Sequence, residues 1–221
     1  MGAAAVEKLK NAHVALFGVG GVGSYAAEAL VRAGVGKLTF IDGDTVNESN
    51  LNRQLVALRS TIGRQKAQVM LERALDINPE AQVAAVNMFY TAQTADSIDF
   101  KGFDYVADAI DMVSSKLLIA EKCYEAGTRL ISAMGAGNKL DPEIFAVCDI
   151  FKTRGCPLAR VMRKQLRVRG IKKLNVVFSP EEPRKPILSE GEKRVIGSVS
   201  FVPSSAGLVL AGKIIRDLAE V

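Results

Sequence analysis

Short apolar runs alternate with amphipathic stretches along the chain. Residues 13–18 (HVALFG) are apolar and end in glycines, which predicts a buried strand. Residues 24–33 carry a helical pattern closed by Gly34. Residues 37–42 (KLTFID) predict a second strand, and 45–58 are polar and Asn-rich, a loop or short turns. A helix is predicted over 62–77, stopped by Asn78-Pro79. Residues 82–87, 105–108 and 129–134 predict three further strands, with a helix over 112–126 that ends at Gly127. Apolar strands alternating with helices predict an α/β fold with a Rossmann-like, doubly wound, mainly parallel sheet.

Beyond Gly135 the pattern changes to a mixed extension. Residues 145–150 and 175–178 predict strands, and 157–169 predict a basic helix with proline in its first turn. Residues 179–197 are rich in Pro, Glu, Lys and Gly and read as a mobile loop. An apolar helix follows over 204–218, fit for the core or for an interface, with core the better reading. No linker divides the chain, so 1–221 reads as one domain, with residues 1–135 and 136–221 as its two halves.

Composition narrows the picture. The 221 residues are 48% hydrophobic and 24% charged, which excludes a disordered chain or a charged rod. No apolar run approaches the roughly 18 residues of a membrane span. The start, MGAAAVEKLKNAHVALFG, lacks the order of a signal peptide, so a cytoplasmic protein is expected. Cys123, Cys148 and Cys156 make neither a disulfide framework nor a CxxC zinc pair, and His13 stands alone, so no zinc is expected. The net charge of +5 is uneven. Residues 152–173 hold nine basic and no acidic side chains, leaving 20 basic and 24 acidic residues elsewhere. Such a segment reads as a solvated helix face or as a polyanion contact.

The candidate chemistry begins at Gly18-Val-Gly20-Gly21-Val-Gly23, between a strand and a helix. Glycines there permit a tight turn and close approach to phosphate oxygens, and the helix N-terminus offers free N–H groups. Asp42 ends the second strand, where a carboxylate meets ribose hydroxyls. The loop alone fits NAD, FAD or simple strand–helix packing. Asn50, Arg53, Gln54 and Lys66 tilt the reading toward a triphosphate, which needs more positive charge than one pyrophosphate. Asp108-Ala-Ile-Asp111 ends the fourth strand, and a carboxylate there either holds Mg²⁺ on phosphates or caps the next helix.

GVGGVGS, IDGDTVNESNLNRQ, Gly63-Arg-Gln-Lys66 and DAIDM together resemble the ubiquitin-activating-enzyme-like superfamily (ThiF/MoeB/HesA), whose members adenylate carboxylates with ATP. MGAGNKLDP, DIFKTRGCPLARVMRKQLRVRGI and GSVSFVP are similar to its tRNA-modifying branch, which cyclises threonylcarbamoyladenosine beside the anticodon with loss of water. The resemblance implies that Gly18, Gly20, Gly21 and Gly23 line the ATP phosphates. It implies that Asp42 holds the ribose with Asp44 beside it, and that Asn50, Arg53 and Lys66 contact the triphosphate. Asp111 would sit at the phosphates and Mg²⁺, with Arg53, Lys66 and Asp111 serving catalysis. It gives 1–135 the nucleotide and 136–221 the tRNA, with Arg160, Arg163, Lys164 and Arg167 on one helix face as the nucleic-acid contact. It further implies a homodimer, and admits a monovalent cation and a sulfur-transfer or redox partner.

Some features depart from the superfamily. The zinc-binding CxxC pairs and catalytic cysteine of other branches are missing, and Cys156 in GCPLA reads as a structural thiol. Relatives carry an N-terminal Arg that can reach the partner subunit's ATP, which MGAAAVEKL lacks, so reduced activity is expected. The competing readings are an adenylyltransferase for a ubiquitin-like sulfur carrier, an NAD-dependent reductase, and a non-catalytic nucleotide-binding adaptor.

Overall fold

The computed structural model of the chain describes residues 1–185 and 196–221. Helix α1 (Ala3–Asn11), which the sequence pattern did not single out, leads into β1 (His13–Phe17). Then come α2 (Gly23–Arg32), β2 (Lys37–Ile41), α3 (Lys66–Ile77), β3 (Gln82–Val86) and β4 (Tyr105–Asp108). The chain continues through α4 (Val113–Ala126), β5 (Arg129–Ala133), β6 (Ala146–Asp149), α5 (Pro157–Val168), β7 (Asn175–Phe178) and α6 (Phe201–Ala219).

The strands form one sheet in the order β3-β2-β1-β4-β5-β7-β6. All pairings are parallel except β6 on β7. The inner strands β1, β2 and β4 read as apolar runs because both of their faces are buried, whereas the edge strands β3 and β6 are only partly covered. Val14 and Leu16 enter the core shared with α1, α2, α3 and α6, whereas Ala15 and Phe17 enter the opposite core with Phe100 and Ile119. A third cluster joins α4, α5 and β7 through Leu117, Met162, Leu166 and Val176. The C-terminal half therefore extends the same sheet. Helix α6 is core, with Ala206, Leu210, Ala211 and Ile214 buried, as its apolar pattern suggested.

Two helix boundaries differ from the sequence reading. Helix α3 starts at Lys66 rather than 62, because Gly63 takes φ +86° and residues 63–66 bond to 44–46 instead. Val46 N–H donates to Arg64 O and Gly63 N–H to Val46 O, both at 2.8 Å, and Thr45 bridges Gln65. Helix α6 starts three residues early, with Pro203 in its first turn, where no intrahelical N–H is needed. The stretch 179–197, read as mobile, is anchored at both described ends. Ser179 is buried, Glu181 accepts from the N–H groups of Leu140 and Asp141, and Arg184 N–H donates to Asn138 O. Gly197 N–H donates to Asn138 Oδ1 at 2.6 Å. Residues 186–195 of that stretch lie outside the described residues.

Candidate active site

Leaving β1, the chain runs outward to β2 and β3, then crosses to β4 on the other side of β1. Open α/β sheets hold ligands at such a switch point, beyond the carboxyl ends of the strands. A cavity of about 680 Å³ lies there. Its walls include the glycine loop, residues 42–44, Asn50, Arg53, Gln54, Lys66, Asp111 and the 133–137 turn.

The glycines have different jobs. Gly18 has φ +87°, and a Cβ on it would lie 2.8 Å from Ala109 O. The loop after β1 thus sits directly on the turn after β4. Gly20 has no neighbour closer than 3.8 Å, so its backbone is open to a ligand. Gly21 is backed by Pro203 of α6. Gly23 does not line the cavity, contrary to the expectation for it. It is the packing glycine, since an added Cβ would fall 1.8 Å from Gly18 O.

Asp42 is mostly engaged by backbone. Its Oδ2 accepts from Val19 N–H at 2.6 Å and its Oδ1 from Asp44 N–H at 2.8 Å. Burial outweighs those bonds and raises its carboxyl above the ordinary range. Asp42 therefore clamps the glycine loop as well as bordering the cavity. Gly43 allows Phe89 to lie over it, since a Cβ there would be 2.5 Å from Phe89 N. The ring, 57% exposed, adds an apolar wall beside Asp42 and Asp44.

Lys66 opens α3 and is buried, with its Nζ 2.9 Å from Asp44 Oδ2. Arg53 is held by Ser49 O and Asn52 Oδ1, each 2.9 Å from Nη1. Asn50 is buried and its Oδ1 accepts from Asn47 N–H at 3.1 Å, so it shapes the loop that carries Arg53. Gln54 Oε1 is buried in the same wall without a partner among the described residues. Asp111 is exposed at the cavity, with no side-chain hydrogen bond among the described residues. Sequence reasoning passed over Phe89, Gly137, Ile196 and Ser198, which also line the cavity. Gly137 and Ser198 fall in the segments MGAGNKLDP and GSVSFVP that carried the resemblance, whereas Phe89 and Ile196 had no such signal.

The thiols take no part in this cavity. Burial pushes Cys123 and Cys148 up from the ordinary thiol range. Cys156 is buried and caps α5, its Sγ accepting from Ala159 N–H at 3.5 Å. Among the described residues, no three His, Cys, Asp or Glu side chains cluster to hold a metal, and no helix is long and apolar enough to cross a membrane.

Helix α5 divides the four basic residues expected on one face. Arg160 and Lys164 are exposed and make no ion pair among the described residues. Arg163 is half-buried and donates to Thr153 O at 3.2 Å and to Thr153 Oγ1. The Arg167 guanidinium lies 5.3 Å from the Phe151 ring centroid. These two hold α5 to the 150–153 segment, because the helix packs its Met162–Leu166 face into the core there.

The chain matches the ThiF family over residues 1–216. It is 44% identical over 235 residues to a Bacillus subtilis (strain 168) protein named tRNA threonylcarbamoyladenosine dehydratase, spanning 100% of this chain and 92% of that one. A crystal structure of the E. coli tRNA N6-threonylcarbamoyladenosine dehydratase, TcdA, in complex with AMP matches with a TM-score of 0.91. The two are 36% identical, across 99% of this chain and 90% of the other. The same enzyme in complex with ATP matches with a TM-score of 0.88 at 35% identity, across 99% and 90% of the two chains. The likeness runs through both halves of the sheet and not the glycine loop alone, and the chain belongs to the ThiF family, in the group of the tRNA threonylcarbamoyladenosine dehydratases.

Proposed function

We propose that this chain uses ATP to adenylate the threonyl carboxylate of N6-threonylcarbamoyladenosine in tRNA, which then cyclises with net loss of water. The observation that carries the reading is the switch-point cavity, where an open glycine backbone, a buried lysine, an arginine and a free carboxylate meet. Oxide is a poor leaving group, so a carboxylate must be activated. One carboxylate oxygen attacks the α-phosphorus and pyrophosphate departs. A nitrogen or oxygen of the same side chain then attacks the acyl carbon. AMP leaves with the former carboxylate oxygen, and the attacking atom loses its proton.

Lys66 and Arg53 meet the charge that grows on the phosphates in the first step. The glycine loop holds the phosphates through backbone N–H groups at the start of α2. Holding the reacting side chain beside its own acyl-adenylate replaces a bimolecular encounter, an advantage of about 7–11 kcal/mol when alignment is good. No thiol is required. Asp111 fits Mg²⁺, which typically takes one or two carboxylates plus substrate phosphates, and the ion would supply charge neutralisation at the triphosphate. The same reading includes a homodimer in the cytoplasm.

AMP release from ATP tests the proposal, using tRNA with and without the threonylcarbamoyl group. AMP is expected only with the modified tRNA. AMP formed with a ubiquitin-like carrier instead would redirect the reading to protein adenylation, and failure to bind ATP would overturn it.

For tRNA contact, Arg160 and Lys164 are the exposed pair with no ion-pair partner among the described residues. Their joint replacement by alanine is expected to weaken binding to all tRNAs alike. The slope of log K against log salt should become shallower by about 0.7–0.9 for each phosphate that is no longer neutralised. Arg163→Ala should instead lower stability by about 1–2 kcal/mol, since it removes charge-assisted bonds to Thr153. Filter binding across a salt series and thermal melting separate the two effects.

A further inference from the structure

Behind the cavity lies a buried charge cluster that the proposed chemistry does not use. Asp108, at the end of β4, and Lys116, in α4, are both fully buried. Lys116 Nζ donates to Asp108 Oδ2 at 2.9 Å, and Ser132 Oγ of β5 donates to the same oxygen at 2.5 Å. The other oxygen, Oδ1, accepts from the backbone N–H of Ile110 at 3.1 Å. Asp108 and Lys116 do not line the cavity, whereas Ala109, Ile110 and Asp111 do.

Stability does not account for this arrangement. Burying an ion pair costs desolvation that an apolar pair of similar volume avoids. What the cluster does is fix a turn. Ala109 N–H donates to Phe17 O at 2.8 Å, and Ala109 O sits where a Gly18 side chain would begin. Ile110, the residue before Asp111, is tied to Asp108. Asp111 has no side-chain partner among the described residues, so its direction depends on this backbone.

We propose that the Asp108–Lys116–Ser132 cluster positions Asp111 and seats its turn against the glycine loop. The inference rests on the role given to Asp111 in the proposed function.

Two double variants test it. D108L/K116M replaces the pair with apolar side chains and removes the acceptor for Ile110 N–H. D108N/K116M also removes both charges but keeps an amide oxygen as that acceptor. Both are melted first, then assayed for AMP formation with threonylcarbamoyl-tRNA and for ATP binding with and without Mg²⁺. D108L/K116M is expected to lose about 100-fold in kcat, as misplacement of a reacting group does, together with the part of its ATP affinity that Mg²⁺ supplies. D108N/K116M should recover most of that loss. Equal turnover by the two folded variants overturns the proposal.

Should D108L/K116M fail to fold, Ser132→Ala supplies the test, with kcat expected to fall and an unchanged kcat overturning the idea. If the wild-type chain forms no AMP, the proposed function fails separately. The positioning role is then read from ATP affinity. The gain conferred by Mg²⁺ should vanish in D108L/K116M and in D111A but survive in D108N/K116M, and the same response in all of them overturns the role.

Discussion

Lys66→Ala is expected to lower AMP formation by about 100–1,000-fold, the scale on which loss of one preorganised charge at a transition state is felt. The side chain is buried at the first turn of α3, and Asp44 is its only ion-pair partner among the described residues. Asp44 is about half exposed (53%), so removal of the lysine leaves no charge stranded in the interior. Stability should therefore change little while turnover collapses. Single-turnover assays with threonylcarbamoyl-tRNA, beside a thermal melt, measure both. Lys66→Arg should rescue only part of the loss, because a planar guanidinium cannot place one compact charge as the ammonium does. Turnover of the alanine variant within about tenfold of wild type, short of the range for such a group, would remove Lys66 from the chemistry.

Gly23→Ala should have the largest effect on ATP binding. The new methyl would fall 1.8 Å from Gly18 O, so the loop and the start of α2 cannot both keep their places. Overpacking of this kind costs about 1–3 kcal/mol or more, and here the strain falls on the backbone that cradles the phosphates. We expect a lower melting temperature and no stabilisation by ATP. Gly34→Ala is the control. Gly34 has a positive φ, +86°, which Gly23 does not, and nothing lies within 4 Å of its added Cβ. It should lose about 1 kcal/mol of stability through conformation alone and keep its response to ATP. An unaltered ATP response in Gly23→Ala would mean that the loop is not the phosphate cradle.

The inner strands were legible because both of their faces are buried, which leaves short apolar runs in the sequence. His13–Phe17, Lys37–Ile41 and Asn175–Phe178 stand almost where the apolar runs placed them. The start of α3 was not legible. Ile62 continues an apolar periodicity, but the 63–66 segment bonds to 44–46, a tertiary preference with no local signature. In the site, the residue types were readable and their division of labour was not. Gly18 and Gly23 look alike in a motif, yet Gly18 borders the cavity and Gly23 only packs behind it. Asp108 and Asp111 are equivalent as letters, and burial alone separates the anchor from the free carboxylate. On α5, spacing put four basic residues on one face, but Thr153 and Phe151 occupy two of them.

The packing of α6 on the nucleotide loop also bears on how the chain reaches its native state. Pro203 backs Gly21, and a Cβ on Gly207 would lie 2.2 Å from Val22 O, so the loop rests on residues nearly two hundred positions downstream. Lys8 and Glu220 pair across 212 positions on the same side of the sheet. Such pairings give high contact order and slow folding. At about 5–20 residues per second of synthesis, the loop waits roughly ten to forty seconds for α6. Throughout that interval the side of α2 that packs on α6 is uncovered. ATP cannot template the early fold, and protection by ATP during translation would report only chains in which α6 has docked.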